Sequence, residues 1–93
     1  MENIDNLIKL ALEQDEDAKN KLYDEYKYIV DILIHKYHSI ATSLNIEINE
    51  LEQEAFYAFS DAINSYQLDK NAKLSTFISL CVDRRLKKNI KEV

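Results

Sequence analysis

The 93-residue chain has no glycine, no proline and one cysteine, and its net charge at pH 7 is −5. Glycine and proline serve most tight turns and breaks between elements, so their absence argues against strands and hairpins. A lone thiol excludes an internal disulfide and suits a reducing cytoplasm, and an acidic total argues against a general nucleic-acid coat protein. The length fits one domain, which buries roughly 60–65% of its unfolded surface and so makes one modest core. No apolar run approaches the length of a membrane span, and the N-terminal MENIDNLIK lacks a basic-then-apolar signal pattern. The expectation is a soluble cytoplasmic protein with no membrane association.

The elements follow in chain order. Residues 4–14 read as a short helix with Ile4, Leu7, Ile8, Ala11 and Leu12 on one side and Asn3 as its cap. Asp15, Glu16 and Asp17 interrupt the apolar pattern and suit the start of a second helix, where acidic side chains oppose the helix dipole. That helix is predicted from about Asp17 to about Ala41, with Leu22, Tyr26, Ile29, Val30, Leu33, Ile34 and Tyr37 as its apolar stripe. Ser39 to Asn49 mixes β-branched and polar residues and is expected to be a loop or weak helix.

The stretch Asn49 to Tyr66 then reads as one helix with two unlike faces. Leu51, Ala55, Ala58, Phe59, Ala62, Ile63 and Tyr66 recur at three- and four-residue steps and form a core stripe. Glu50, Gln53, Glu54, Tyr57, Asp61 and Asn64 form a second stripe on the other side. The helix holds four acidic residues and no Lys or Arg. Asn49 with Glu52 three residues later has capping-box spacing. An outer face of one charge sign, with Tyr57 in it and Phe56 at its border, points to a protein partner.

Residues 67–74, rich in Asp, Asn and Lys, form the clearest connection. Ser75 is the expected cap of a last helix running from Thr76 to about Lys91. Ile78, Val82, Leu86, Ile90 and Val93 make its core stripe. The other side carries Phe77, Leu80, Cys81, Arg84, Lys87, Lys88 and Lys91. The expected architecture is all-α, a compact helical bundle of three main helices plus the short N-terminal one.

Charge is segregated along the chain. Residues 1–48 carry ten acidic and five basic side chains, residues 49–66 carry −4, and residues 84–91 carry five cations and no acid. A helix face running from rings and aliphatics to cations suits a strand of nucleic acid, with stacking at one end and phosphate neutralisation at the other. On pattern alone the favoured reading is a solvated basic face at a helix C-terminus, where the dipole favours cations.

Catalytic chemistry finds little footing. His35 and His38, with Asp31 one turn before, have no further ligands at metal spacing. Glu50 and Glu54 lie four apart like carboxylates of di-iron bundles, but the Glu-x-x-His partners are missing. Cys81 lacks a basic activator in a recognisable nucleophile motif. There is no glycine-rich phosphate loop, triad signature or zinc cluster. The reading is of a non-enzyme with no catalytic residues, metal or cofactor.

N-E-L-E-Q-E-A at 49–55, A-I-N-S-Y at 62–66, an acid-containing connection and L-S-T-F at 74–77 together resemble region 2 of the sigma-70 family of bacterial RNA polymerase sigma factors. L-C-V-D-R-R-L-K-K-N-I-K at 80–91 is most similar to the stationary-phase and sporulation sigma H group. The upstream A-L-E-Q-D-E-D-A-K-N-K-L-Y-D-E-Y also looks like the start of region 2 in small sigma factors, so the resemblance covers nearly the whole chain.

The resemblance implies that residues 1–93 form a region 2 domain in transcription initiation. It implies docking on the β′ clamp helices of core RNA polymerase through Glu50, Leu51, Gln53, Glu54, Phe56 and Ser60. It further implies contact with promoter DNA, mainly the single-stranded non-template minus-ten element, through Phe77, Leu80, Cys81, Arg84, Lys87 and Lys88. An anti-sigma protein is a further partner of the kind the family has. The family's glycine after Q-E is Ala55 here, and its first acid is Asn49. Leu80 and Cys81 stand where primary sigma factors have two tryptophans. The minus-thirty-five-reading region 4 has no counterpart within the 93 residues. The alternatives are a free-standing region-2-like regulator and a helical protein-interaction module without promoter recognition.

Overall fold

The computed structural model describes residues 4–13, 15–66 and 73–91, and within them the chain forms four α-helices and no strand. They are α1 (Ile4–Leu12), α2 (Glu16–Ser43), α3 (Ile48–Ser65) and α4 (Leu74–Lys91). The bundle is all-α, three main helices and a short first one. α2 packs against each of the other three, α1 also touches α3, and α3 and α4 share the most extensive contact. At 1.5 Å per residue the 28-residue α2 is about 42 Å long, and it sets the 41 Å long dimension of the molecule.

The core follows the predicted stripes. Leu22, Ile29, Val30 and Leu33 of α2 meet Leu51, Ala55, Ala58, Phe59, Ala62 and Ile63 of α3 and Ile78, Val82 and Leu86 of α4. Each fully buried Leu or Ile contributes about 1.5–3 kcal/mol relative to exposure. Three alanines, Ala55, Ala58 and Ala62, are all buried on α3. Small side chains let a neighbouring backbone come close, which fits the extensive α3–α4 contact. Ala55 is therefore a packing residue. Tyr26, Ile34, Tyr37 and Ile90 pack on the core only partly buried. Among the described residues no polar or charged residue is buried.

The helix ends differ from expectation. α1 closes at Leu12, two residues before the predicted end. Asp15 caps α2, its side chain accepting from the Ala18 N–H at 3.1 Å. α2 runs on to Ser43, past the predicted end at Ala41, and only residues 44–47 connect it to α3. The stop is made by Asn45, which adopts φ 61°. The Ile46 N–H donates to the Ala41 carbonyl at 2.9 Å and the Asn45 N–H to Thr42 at 3.1 Å. These are the two bonds of a Schellman motif, with asparagine in the left-handed position usually held by glycine.

Ile46 is thereby buried and α3 starts at once, with Glu47 as its extended N-cap and no side-chain capping bond. The Asn49–Glu52 capping box does not form, because Asn49 already lies in the first turn. The start is set instead by Ile46 and Leu51, both buried, at the positions of a hydrophobic staple. Tyr66 is the C-cap of α3, one residue past the helix, and packs partly buried against the core as its stripe position implied. α4 begins at Leu74, which is 5% exposed, so Ser75 lies inside the helix and does not cap it. The predicted cap Asn3, most of the 67–74 connection and Val93 lie outside the described residues.

Candidate protein- and nucleic-acid-binding faces

The outer faces of α3 and α4 carry the predicted site residues side by side. On α3, Glu50 and Gln53 are exposed, Phe56 is 46% exposed and Tyr57 53%, and Ser60 is half-buried. Leu51 is an exception: its side chain is fully buried in the core. It cannot present itself to a partner, and its role is to hold α3 on the bundle. On α4, Arg84, Lys87 and Lys88 are exposed, as is Leu80 at 55%.

Phe77 and Cys81 are half-buried against the core. The Phe77 ring lies 5.8 Å from that of Tyr66, so one side of it is already occupied. Burial raises the Cys81 thiol pKa, an effect that nearby Arg84 partly offsets. A raised pKa keeps the thiol protonated and unreactive.

Two long-range polar clusters tie α4 to its neighbours, and neither was predicted. Arg85 Nε donates to Glu54 Oε2 at 2.5 Å, and its Nη1 lies 3.7 Å from Asp61 Oδ2. Two acids of the α3 face are therefore matched by a cation of α4, and Glu54 is engaged within the molecule. A groove of about 320 Å³ opens beside this pair, lined by Glu54, Arg85, Lys88 and Asn89. An adjoining groove of about 260 Å³ is lined by Ala58 and Cys81, by the acid Asp61 and by the cations Arg84, Arg85 and Lys88.

The second cluster centres on Asp83. Its carboxylate accepts from the Tyr37 hydroxyl at 2.6 Å and from Lys36 Nζ at 3.3 Å, and its other oxygen lies 3.0 Å from Lys87 Nζ. The Tyr37 hydrogen bond is the main cause of a lowered Asp83 pKa, with the two lysines adding to it against the opposing effect of burial. Burial and the same hydrogen bond raise the Tyr37 pKa. Lys87, expected on a phosphate-facing surface, is thus partly neutralised at its base.

The Asp83–Lys87 pair has i,i+4 spacing and was readable in the sequence. The partners Glu54 and Arg85, 31 residues apart, left no such signal. His35 and His38 are both exposed on α2. Among the described residues no group of three or more His, Cys, Asp or Glu side chains could hold a metal ion, and no helix is long and apolar enough to cross a membrane.

No family model, curated protein or solved structure matches the chain.

Proposed function

We propose that the chain acts in bacterial transcription initiation as a sigma region 2-like domain in the cytoplasm. It docks on the β′ clamp helices of core RNA polymerase through the outer face of α3 and contacts the non-template minus-ten strand through α4. The observation that carries the reading is the adjacency of two exposed faces. Glu50, Gln53, Phe56 and Tyr57 stand out from α3, while Leu80, Arg84, Lys87 and Lys88 stand out from α4 packed against it. A protein-type face rich in aromatics and acids therefore borders a cationic face with an apolar start, the chemistry a polymerase and a single strand require.

Pull-down with core polymerase tests the first half. Gln53→Ala combined with Glu54→Lys abolishes retention on this reading, and unchanged retention overturns it. For the second half, Arg84, Lys87 and Lys88 are changed together to alanine, and binding of a minus-ten single strand in a holoenzyme is measured. Undiminished binding removes the DNA face.

A second reading has its own support. Phe77 packs in a tilted ring contact with Tyr66, Arg85 is held by Glu54 and Asp61, and Lys87 is held by Asp83. A helical protein-interaction module without promoter recognition accounts for these engaged groups, and such a module retains polymerase or another protein partner while leaving the minus-ten strand unbound.

A further inference from the structure

The outer face of α2 carries a pattern that the core does not use. Lys21, Glu25, Tyr28, Ile32, His35 and Ser39 follow one another at alternating steps of four and three, and all six are exposed. That is the 3.5-residue spacing at which two helices keep one seam together along their length. The buried Leu22, Ile29, Val30 and Leu33 lie off this line and hold α2 to the bundle. At the middle of the seam Ile32 is 63% exposed, more than any other large apolar side chain among the described residues, and Tyr28 one turn before it is 54% exposed.

The seam is complementary to itself. Laid antiparallel on a second copy, with a twofold axis at the level of Val30, Tyr28 of one protomer meets Ile32 of the other, and the symmetry makes that contact twice. In the next layer outward Glu25 meets His35, and beyond it Lys21 meets Ser39. Lys36 stands beside His35 with its side chain 56% exposed, held by Asp83 at 3.3 Å, and adds a cation opposite Glu25. An imidazole donates to a carboxylate whether neutral or charged. Parallel pairing would instead set Glu25 on Glu25 and His35 on His35, so charge selects the antiparallel orientation. Glu25 and His35 are ten residues apart on one rod, about 15 Å, and so meet only between copies. Asp31 flanks the seam close to the axis. Its two copies are separated by about the 8–10 Å between packed helices, a distance over which salt screens them.

We propose that the chain forms a twofold-symmetric dimer through this face, with the two α2 helices antiparallel, Tyr28 and Ile32 as the apolar centre and Glu25–His35 as the flanking pairs. The inference is independent of the function proposed above, because it uses neither the outer face of α3 nor that of α4. A seam from residue 21 to residue 39 is about 27 Å long and buries less than the roughly 1,200 Å² of a stable interface. The dimer is therefore weak, with a Kd of about 10–100 µM.

Sedimentation equilibrium of the 93-residue chain over about 5–500 µM tests it, because that range spans the expected Kd. Ile32→Asp is expected to abolish dimerisation. Glu25→Lys alone and His35→Glu alone should each weaken it by about fivefold or more, and the two together should recover most of the loss. All three positions are exposed, so melting of the variants is expected to follow the wild type. Should Ile32→Asp melt differently, the charge exchange decides, since its rescue cannot come from a change in folding alone.

A chain that stays monomeric at the highest concentration overturns the dimer and leaves the face to a foreign partner. A dimer that withstands Ile32→Asp forms through another surface and overturns this one. A charge-exchanged variant no tighter than either single variant overturns the antiparallel register.

Discussion

Arg85 of α4 and Glu54 of α3 form a direct ion pair, Nε to Oε2 at 2.5 Å, across the most extensive helix contact in the bundle. The pair is half-exposed, with side chains 38% and 27% accessible, so solvent screens it and its worth is modest. Arg85→Ala is expected to lower stability by about 1 kcal/mol, and a double-mutant cycle with Glu54→Gln should return a coupling of similar size that shrinks as salt is added. Urea unfolding at two ionic strengths measures both. A coupling indistinguishable from zero at low salt removes the clamp. The same pair bears on the docking test, because Glu54→Lys sets two cations against each other. Loss of partner binding supports the interface only where melting is unchanged.

Asp83 confers a pH dependence whose sign is fixed by its partners. Its folded-state pKa is lowered, chiefly by the Tyr37 hydroxyl. The stabilisation is present above the ordinary aspartate pKa near ~3.9 and is lost as pH falls through the lower folded value. Asp83→Asn is expected to cost about 1–2 kcal/mol at pH 7, and the gap to wild type should narrow below about pH 4. Tyr37 and Tyr23 act at the other end. Their raised pKa values stabilise the fold fully below pH ~10, and this is lost as pH climbs through the folded values. Thermal melts from pH 2 to 11 follow both limbs, and a constant gap between Asp83→Asn and wild type across the acid limb rules out the Asp83 linkage.

Asn45 carries a strained turn in a chain without glycine. Its φ of 61° serves the Schellman closure that buries Ile46 and launches α3. Asn45→Gly relieves the Cβ penalty and should raise stability by a few tenths to about 1 kcal/mol, whereas Asn45→Ala should lower it by about 1 kcal/mol. In a domain this size that separates their melting temperatures by about 4 °C or more. Equal melting temperatures for the two variants show that the turn does not depend on its left-handed residue.

The same turn shows what could be read without coordinates. Stripes set by 3.6-residue periodicity, such as Leu51–Ala55–Ala58–Ala62 and Ile78–Val82–Leu86, fell on the buried faces because burial of an apolar stripe is what makes an amphipathic helix stable in a bundle. The ends of helices were less legible. Asn49 and Ser75 have cap chemistry, yet α3 is started by the burial of Ile46 and Leu51, and α4 begins at a buried Leu74. Tertiary burial outweighed a capping bond of about 1 kcal/mol. The site was partly legible for a related reason. Exposure of Gln53, Phe56, Arg84 and Lys88 follows from their place on the wheel, whereas the engagement of Glu54 by Arg85 and the joining of Tyr23 to Phe56 depend on which helices meet and at what register.

Leu51 and Phe56 separate fold from recognition within one helix. Leu51 is wholly buried, and Phe56 is 46% exposed with its ring against Tyr23. Leu51→Ala removes packed methyl groups and leaves a cavity, so it should cost about 2–5 kcal/mol. In a 93-residue domain that brings the chain close to unfolding. Phe56→Ala loses two ring contacts, to Tyr23 and Tyr57, and little burial, and should cost about 1 kcal/mol. For partner binding the order inverts. Leu51→Met, which conserves volume, should bind as the wild type after a stability loss under about 1.5 kcal/mol, while Phe56→Ala should weaken binding by about tenfold or more because exposed aromatics anchor interfaces. Calorimetric melting paired with titration of core polymerase reads both axes. If Leu51→Met loses binding while still folded and Phe56→Ala keeps it, the apolar contact of α3 lies on the side that faces the core, and the docking face assigned to its outer surface is wrong.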